Sequence, residues 1–156
     1  MKIYKEGEKN NILRRIIPPL DTGDYNNKKI SKILKKLQKT RRENGGIGLA
    51  ANQCGIEKRI FVIGDDRYDF FLNIINPVIH ESLSSQNFIE SEEGCLSFDE
   101  DLILSIPRHE WIIASFYDEI SGKYYDKVKL TSLLARVFQH ETDHLNGILF
   151  TDRCSL

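Results

Sequence analysis

The chain has 156 residues, of which 40% are hydrophobic and 29% charged, and its formal net charge at pH 7 is −1. This length and composition fit a globular domain with a buried core and exclude a disordered or fibrous chain. No apolar run approaches the roughly 18 residues that a membrane span requires, and the N-terminus lacks the apolar segment of a secretory signal. We therefore predict one domain over residues 1–156, with neither a membrane nor DNA as partner.

The charges are distributed unevenly along the chain. Residues 1–44 contain 13 Lys and Arg against 5 Asp and Glu, a net charge of +8, and the remaining residues carry a net charge of −9. A solvated helix face explains a run of this kind. The alternative is a patch that attracts the phosphates of ribosomal RNA.

Three cysteines at positions 54, 95 and 154 do not indicate a disulfide framework, because their number is odd and they are scattered. Free thiols persist in a reducing compartment. We therefore expect a cytoplasmic protein, in a bacterium or a phage-infected host, with an organelle as a further option.

The first predicted element is a helix over residues 26–43. Its apolar residues recur at helical spacing: Ile30, Ile33, Leu34 and Leu37. Asn26 or Asn27 is suited to cap the N-terminus, and Gly45 is suited to the position just past the C-terminus. Lys and Arg occupy the rest of the helix surface.

Short β-rich runs follow, and then a second helix. The predicted strands are Arg59–Ile63, Phe70–Ile75, Val78–Glu81, Leu102–Ser105, Trp111–Tyr117 and Lys123–Val128. Turn residues 118–122 join the last two as a hairpin, and Trp111 is expected in the core. The second helix begins near Thr131 or Ser132 and stops at Gly147. This order predicts an α+β fold, with β-rich sheets wrapped around a central second helix and another helix near the N-terminus.

The second predicted helix contains a His-Glu-x-x-His pattern at residues 140–144. Positions four apart lie on one face of a helix, so His140 and His144 can reach the same metal ion. Glu141 can then take a proton from water at that metal. A catalytic site of this kind needs a third protein ligand. Only 12 residues follow His144, and Phe150 stands where the longer metalloprotease pattern has its last His.

The third ligand must therefore come from the region before this helix. The candidates are Cys54, His80, Cys95 and His109. Cys95 is favoured because Gly94 beside it allows another group to approach closely, although a buried core thiol remains the alternative. For His80 and His109 we expect roles other than metal ligation.

A third motif, Gly45-Gly46-Ile47-Gly48-Leu49-Ala50-Ala51-Asn52-Gln53, follows the basic helix. Its glycines can end that helix or let backbone lie against a substrate. It lacks the Lys and the Ser or Thr of a phosphate-binding loop. Together with residues 93–97 (Glu-Gly-Cys-Leu-Ser) and 139–144 (Gln-His-Glu-Thr-Asp-His), it resembles the three signature motifs of peptide deformylases, in order and at similar spacing. The resemblance covers about residues 30–151.

The resemblance implies hydrolysis of the formyl group of N-formylmethionine on newly made polypeptides. Cys95, His140 and His144 would hold the metal, and Glu141 would be the general base. The side-chain amide of Gln53 and the backbone N–H of Leu96 would donate to the developing oxyanion. Fe²⁺ is the ion expected in the cell, with Zn²⁺, Ni²⁺ or Co²⁺ also suited to these ligands.

The resemblance also indicates how a formylmethionyl peptide binds. Ile47, Gly48 and Gly94 would hold its backbone like an added strand. Leu133 and Val137 would wall the slot for the methionine side chain. Glu93 and Arg108 are expected to form a supporting ion pair. This substrate is the predicted partner, and the basic N-terminal region suggests transient association with the ribosome.

The chain departs from the family pattern at two places near the site. Phe98-Asp99 replaces the usual aliphatic residue and Pro, and Arg136 stands at a position that is usually apolar in the family. Arg136 either extends outward to solvent or contacts the substrate beyond its first residue. These departures keep two alternatives open: a metal-dependent amidase or peptidase with another acyl-peptide substrate, and a non-catalytic metal-binding domain.

Overall fold

The computed structural model describes residues 1–154, which form an antiparallel sheet of five strands and a second sheet of two strands, with helices against them. The helices are α1 (Lys28–Glu43), α2 (Ser132–Leu145) and α3 (Phe150–Arg153). The strands are β1 (Gly48–Ala50), β2 (Ile60–Asp65), β3 (Phe70–Ile79), β4 (Phe88–Glu93), β5 (Leu104–His109), β6 (Trp111–Asp118) and β7 (Lys123–Thr131). The large sheet has the order β1-β2-β3-β6-β7, and β4 pairs with β5.

Alternating residues of β2 pack against different helices on the two faces of the large sheet. Phe61 and Ile63 belong to the core that contains Phe138 of α2. Ile60 and Val62 belong to the core that contains Leu34 of α1. Since successive side chains of a strand point to opposite faces, a strand buried on both faces is apolar at nearly every position. This arrangement explains the continuous apolar run of β2.

Helix α2 lies between the two sheets, as the sequence predicted. Phe138 is fully buried and packs edge-on against Phe61, with ring centroids 5.1 Å apart. On another side of the helix, the amide of Gln139 bonds the backbone N–H and carbonyl of His109 in β5. Truncating a buried Phe to Ala typically costs about 3–5 kcal/mol, so this packing fixes the position of the helix. The α+β prediction, with sheets around a central helix, is confirmed.

Both ends of helix α1 lie close to those of the predicted helix, residues 26–43. The Asn27 side chain accepts a hydrogen bond from the Lys29 N–H at 2.9 Å, as an N-cap does. At the other end Gly45 has φ = +69°, the left-handed conformation that glycine adopts easily. Four residues then lead from the end of α1 to the start of β1.

Several predicted strands differ from the structure. The predicted runs Phe70–Ile75 and Val78–Glu81 fall on the single strand β3, which ends at Ile79, two residues earlier than predicted. The pairing of β3 with β6 shifts between Ile75 and Val78. A bulge at Asn76, with φ = 51°, lets one strand continue past Pro77. The strand predicted over Leu102–Ser105 corresponds to β5, which begins two residues later, at Leu104, and extends to His109.

Strands β1 and β4 were not predicted. In β4 the inward-facing Ser91 and Glu93 are polar, so the strand has no apolar alternation for a sequence pattern to detect. The core position predicted for Trp111 was also wrong. Its ring is half-buried, and the Lys129 ammonium lies 4.1 Å from the ring centroid.

Residues 1–154 contain no helix with the length and apolar character needed to cross a membrane.

Candidate active site

Helix α2 and the loop after β4 bring three potential metal ligands together. His140 and His144 are one helical turn apart, with ring centroids separated by 5.0 Å. The Cys95 sulfur lies 3.3 Å from Nε2 of His144. One ligand atom from each of these three residues lies within 4.8 Å of the other two. This is the only cluster of its kind found among residues 1–154.

The other candidates for the third ligand have different environments. His80 Nε2 lies 2.8 Å from the Ser115 hydroxyl. His109 Nδ1 lies 2.6 Å from the Ser85 carbonyl oxygen. Cys54 packs in the core beneath α1, where burial raises the pKa of its thiol to about 11. None of the three belongs to the cluster.

A chain of buried charges orients the first histidine. The Glu93 carboxylate accepts two hydrogen bonds from Arg108, each 2.8 Å long, and its Oε2 lies 2.9 Å from Nδ1 of His140. Nε2 of His140 is therefore the nitrogen left for a metal. Behind this pair, Arg108 also donates to Asp143 at 2.6 Å, and Asp143 accepts from Arg153 at 2.7 Å.

The charge state of Glu93 follows from these contacts. Burial raises its pKa, but the hydrogen bonds from Arg108 and His140 outweigh burial and lower the pKa to about 2. The carboxylate is therefore ionised, and it faces the imidazole of a candidate ligand. A carboxylate in this position fixes the ring orientation and makes the ligand nitrogen more basic.

The donor set and its surroundings fit a divalent cation. One thiol and two imidazoles are ligands suited to zinc and to other first-row divalent metals. Burial lowers the pKa of His140, but hydrogen bonds with Cys95 and Glu93 outweigh burial and raise it to about 10. The negatively charged groups around this ring that favour its protonation equally favour a metal cation bound at the same nitrogen. Burial lowers the pKa of His144 well below its usual range, so that ring stays neutral, as a ligand must be.

Glu141 lies beside the three candidate ligands, at the wall of a cleft. Its side chain is buried, and its Oε2 has no hydrogen-bond partner within the described part of the chain. Burial raises the pKa of Glu141 to about 7, although the positive charge of a protonated His140 lowers it. A Cβ atom added at Gly48 would lie 2.8 Å from Cγ of Glu141, so only glycine lets β1 pass this close. The free oxygen is available to a proton of a bound water or substrate.

Gln53 is held by its side-chain oxygen, which accepts a hydrogen bond from the Ala50 N–H at 2.9 Å. That contact turns the amide nitrogen toward the site. Nε2 donates to the Ser97 hydroxyl at 3.1 Å and lies 3.7 Å from the Cys95 sulfur. The Leu96 N–H forms no hydrogen bond within residues 1–154. Two donors thus lie next to the candidate ligands.

The cleft has a volume of about 640 Å³. Its lining includes all five residues expected to bind substrate: Ile47, Gly48, Gly94, Leu133 and Val137. It also includes Lys5 and four exposed carboxylates that sequence reasoning did not assign to the site: Glu43, Glu92, Asp99 and Glu100. Lys5 comes from a segment that pairs with the site through the backbone, where the Tyr4 N–H donates to the Gln53 carbonyl at 2.8 Å. No motif in the sequence indicated that this segment reaches the cleft.

The altered loop after Cys95 is anchored on both sides. The Phe98 ring packs against Phe150, with centroids 5.0 Å apart, and joins the apolar cluster of Leu13 and Leu149. The Lys5 ammonium donates to the carbonyl oxygens of Leu96 and Phe98. Phe98 therefore points into the protein, while Asp99 lies exposed at the rim.

Arg136 does not extend outward to solvent. Its side chain is half-buried at the cleft wall, and Nη1 donates to the Ser91 hydroxyl of β4 at 2.7 Å.

Comparisons with known proteins agree with this geometry. The sequence model of the polypeptide deformylase family matches residues 1–156. A peptide deformylase of Thermotoga petrophila is 39% identical over 144 residues, covering 92% of this chain and 82% of that protein.

Solved structures give the same result. The Thermotoga maritima enzyme has a TM-score of 0.86 at 34% identity, over 99% of this chain and 97% of that one. A Met-Ala-Ser-bound class I type b peptide deformylase from Acinetobacter baumannii has a TM-score of 0.86 at 30% identity, over 98% and 97% of the two chains. The chain belongs to the polypeptide deformylase family.

Proposed function

We propose that this chain is a peptide deformylase, a metal-dependent hydrolase that removes the formyl group from N-formylmethionine at the start of newly synthesised polypeptides. The observation that carries the proposal is the convergence of Cys95, His140 and His144 beside Glu141, at the wall of a cleft large enough for a short peptide. We propose that residues 1–156 are one catalytic domain. A purely structural metal site closes with four protein ligands, so a base with a free oxygen beside three ligands favours catalysis.

Each group at the site has a role in this hydrolysis. A divalent cation held by Cys95, His140 and His144 would supply Lewis acidity to water and to the formyl oxygen. Glu141 takes the proton of the attacking water as the new C–O bond forms at the formyl carbon. When the C–N bond breaks, Glu141 passes that proton to the amine of methionine, and formate leaves.

The formyl oxygen gains negative charge during the attack. The Gln53 amide and the Leu96 N–H are placed to donate hydrogen bonds to it. Because Ala50 holds the other end of the Gln53 amide, this donor is oriented before the substrate binds. Preorganised donors of this kind contribute typically about 2.7–4 kcal/mol each to the transition state.

The peptide lies in the cleft between β1 and the end of β4. The backbone groups of Ile47, Gly48 and Gly94 hold it as an added strand. Leu133 and Val137 wall the slot for the methionine side chain, since they precede His140 on α2 by two turns and one turn. The Acinetobacter baumannii enzyme, whose match covers 98% of this chain, has Met-Ala-Ser bound.

The direct test is formate release from formyl-Met-Ala-Ser by metal-loaded protein prepared without oxygen. The matched control is acetyl-Met-Ala-Ser, which differs by one methyl group. We expect formate from the first peptide and no measurable hydrolysis of the second. Equal turnover of both peptides would instead favour an amidase of broad acyl specificity, and no turnover by folded, metallated protein would reject the proposal.

We propose Fe²⁺ as the ion in the cell, with Zn²⁺, Ni²⁺ or Co²⁺ able to occupy the same ligands. A ferrous ion reacts with oxygen and generates oxidants beside the Cys95 thiolate, whereas Ni²⁺ does not reduce oxygen. Iron-loaded protein should therefore lose activity in air, while nickel-loaded protein retains it. Metal analysis of anaerobically purified protein identifies the resident ion, and iron-form activity that persists through prolonged aeration would contradict this assignment.

We further propose a cytoplasmic enzyme that associates transiently with ribosomes through α1. Six lysines are exposed on this helix: Lys28, Lys29, Lys32, Lys35, Lys36 and Lys39. Among them, within the described residues, Lys39 alone forms a salt bridge, with Glu43 at 3.6 Å. An unneutralised cationic face of this kind attracts nucleic-acid phosphates.

Cosedimentation with ribosomes tests this association. We expect binding that weakens as salt rises and that falls when Lys32, Lys35 and Lys36 are changed to Gln. The control changes three exposed lysines elsewhere to Gln: Lys58, Lys123 and Lys127. Equal effects of the two triple variants, or binding insensitive to salt, would rule out α1 as the contact.

A further inference from the structure

Arg136 occupies the wall of the cleft one helical turn before His140. Residues three and four apart share a helix face, so Arg136 stands between Leu133 and the first histidine on the side of α2 that faces the cleft. Leu133 and Val137, which flank it, are the walls proposed above for the first side chain of the substrate. Arg136 therefore borders the same slot.

Two consecutive inward positions of β4 contact two consecutive turns of α2. Glu93 bonds His140 at 2.9 Å, and Ser91, two residues earlier, bonds Arg136 at 2.7 Å. Ser91 is only 3% exposed, so its hydroxyl is a fixed acceptor. The guanidinium is consequently held at the cleft wall instead of extending into solvent.

The guanidinium keeps unused donors in this position. Arginine carries five N–H donors, and the Ser91 contact uses one of them. Within residues 1–154, no carboxylate lies within 4.0 Å of Arg136, whereas Arg108 of β5 has two carboxylate partners, Glu93 and Asp143. A half-buried cation with free donors favours an acceptor from the ligand.

We infer that Arg136 is a specificity-determining residue that gives the first side-chain slot a polar end. The inference rests on the proposed function, because it concerns the side chain that follows the formyl group. Leu133 and Val137 contact the aliphatic part of that side chain. The guanidinium of Arg136 donates to an acceptor atom near its tip, such as the oxygen of methionine sulfoxide or of glutamine.

A hydrocarbon tip leaves the guanidinium desolvated and without an acceptor. A site built to hydrogen-bond its substrate therefore discriminates against an analogue that lacks the acceptor. The thioether of methionine is a weak acceptor, so methionine should be intermediate between a side chain with an oxygen acceptor and one with none. The slot should thus rank methionine sulfoxide above methionine, and methionine above its hydrocarbon isostere norleucine.

The experiment measures kcat/KM for formyl-X-Ala-Ser peptides in which X is methionine, methionine sulfoxide or norleucine. The readout is the ratio of sulfoxide to norleucine in the native enzyme and in Arg136→Met, which keeps the aliphatic stem. We expect this ratio to fall about tenfold or more in Arg136→Met, the effect of losing one charged hydrogen bond. The control Arg67→Met removes an exposed arginine outside the cleft and should leave the ratio unchanged.

Ser91→Ala provides a second, independent variant. It keeps the charge but removes the hydroxyl that fixes the guanidinium, so the ratio should fall by a smaller factor. An unchanged ratio in both variants, with formylmethionine still hydrolysed, would overturn the role of Arg136 and leave the deformylase function intact. If the native enzyme hydrolyses none of the peptides, the proposed function itself fails, and the two failures are thereby distinguished.

Discussion

The two sides of helix α2 differ in how their charged groups are paired. On the side away from the cleft, Arg108, Asp143 and Arg153 are linked by ion pairs. On the cleft side, one buried oxygen of Glu141 has no hydrogen-bond partner among the described residues, and His140 leaves one ring nitrogen toward Cys95. One helix thus carries a satisfied ionic network on one side and unsatisfied ligating and basic groups on the other.

The side away from the cleft therefore contributes to stability, and the cleft side contributes to the reaction. Buried polar groups without partners cost free energy, so they persist where a ligand or a reaction uses them. Buried charges that pair within the chain hold the helix in place, and removing one partner leaves the other uncompensated. Glu93 connects the two sides, because it bonds both Arg108 and His140. Substitutions on the two sides should accordingly affect different measurements.

The largest effect is expected for Cys95→Ala. Removing one of three ligands should eliminate the bound metal and reduce formate release below detection, while the free energy of unfolding of the metal-free protein changes little. Metal analysis, the formate assay and urea unfolding measure the three quantities. The control Cys54→Ala should keep metal and activity, since Cys54 lies in the core beneath α1. Stoichiometric metal in Cys95→Ala would remove this thiol from the ligand set.

Gln53→Ala should lower kcat by about 10²–10³-fold with the metal retained, because one oxyanion donor is lost. The substitution also removes the acceptor of the Ala50 N–H, which urea unfolding detects separately. A loss of less than threefold in kcat would show that Gln53 only caps the short turn at residues 51–54.

On the other side of the helix, Arg108→Met should cost about 3–5 kcal/mol in the free energy of unfolding, because Glu93 and Asp143 lose a buried partner. Arg153→Met is the matched control. Arg153 is 39% exposed, and Asp143 keeps Arg108, so about 1 kcal/mol or less is expected. Urea unfolding of both variants gives the comparison, and equal losses would contradict a network centred on Arg108.

The smallest effect concerns Cys54. Burial raises its pKa to about 11, so at pH 8 about one thiol in a thousand is ionised. Iodoacetamide at pH 8 should therefore leave Cys54 unmodified in the native protein, and mass spectrometry locates the label. The same treatment in urea is the control and should label it. Rapid native labelling would show that the core beneath α1 opens readily.

The sequence was sufficient to predict the parts of the molecule that depend on periodicity or on chemistry at fixed spacing. The capped, amphipathic α1 and the one-turn spacing of His140 and His144 are examples, and the cluster with Cys95 followed from the family motifs. Strand β4 was missed because its inward residues, Ser91 and Glu93, are polar and bond side chains of α2. The contact of Arg136 with Ser91 joins residues 45 positions apart, and no local pattern indicates such a pair.

The central claim is that the cleft side of α2 performs the chemistry, with Glu141 as the base. The most direct measurement is formate release from formyl-Met-Ala-Ser by Glu141→Gln, together with its metal content. The account predicts full metal occupancy and a fall in kcat of about 10²–10⁴-fold, the usual contribution of a general base. A variant that keeps its metal and more than a tenth of the native rate would contradict it.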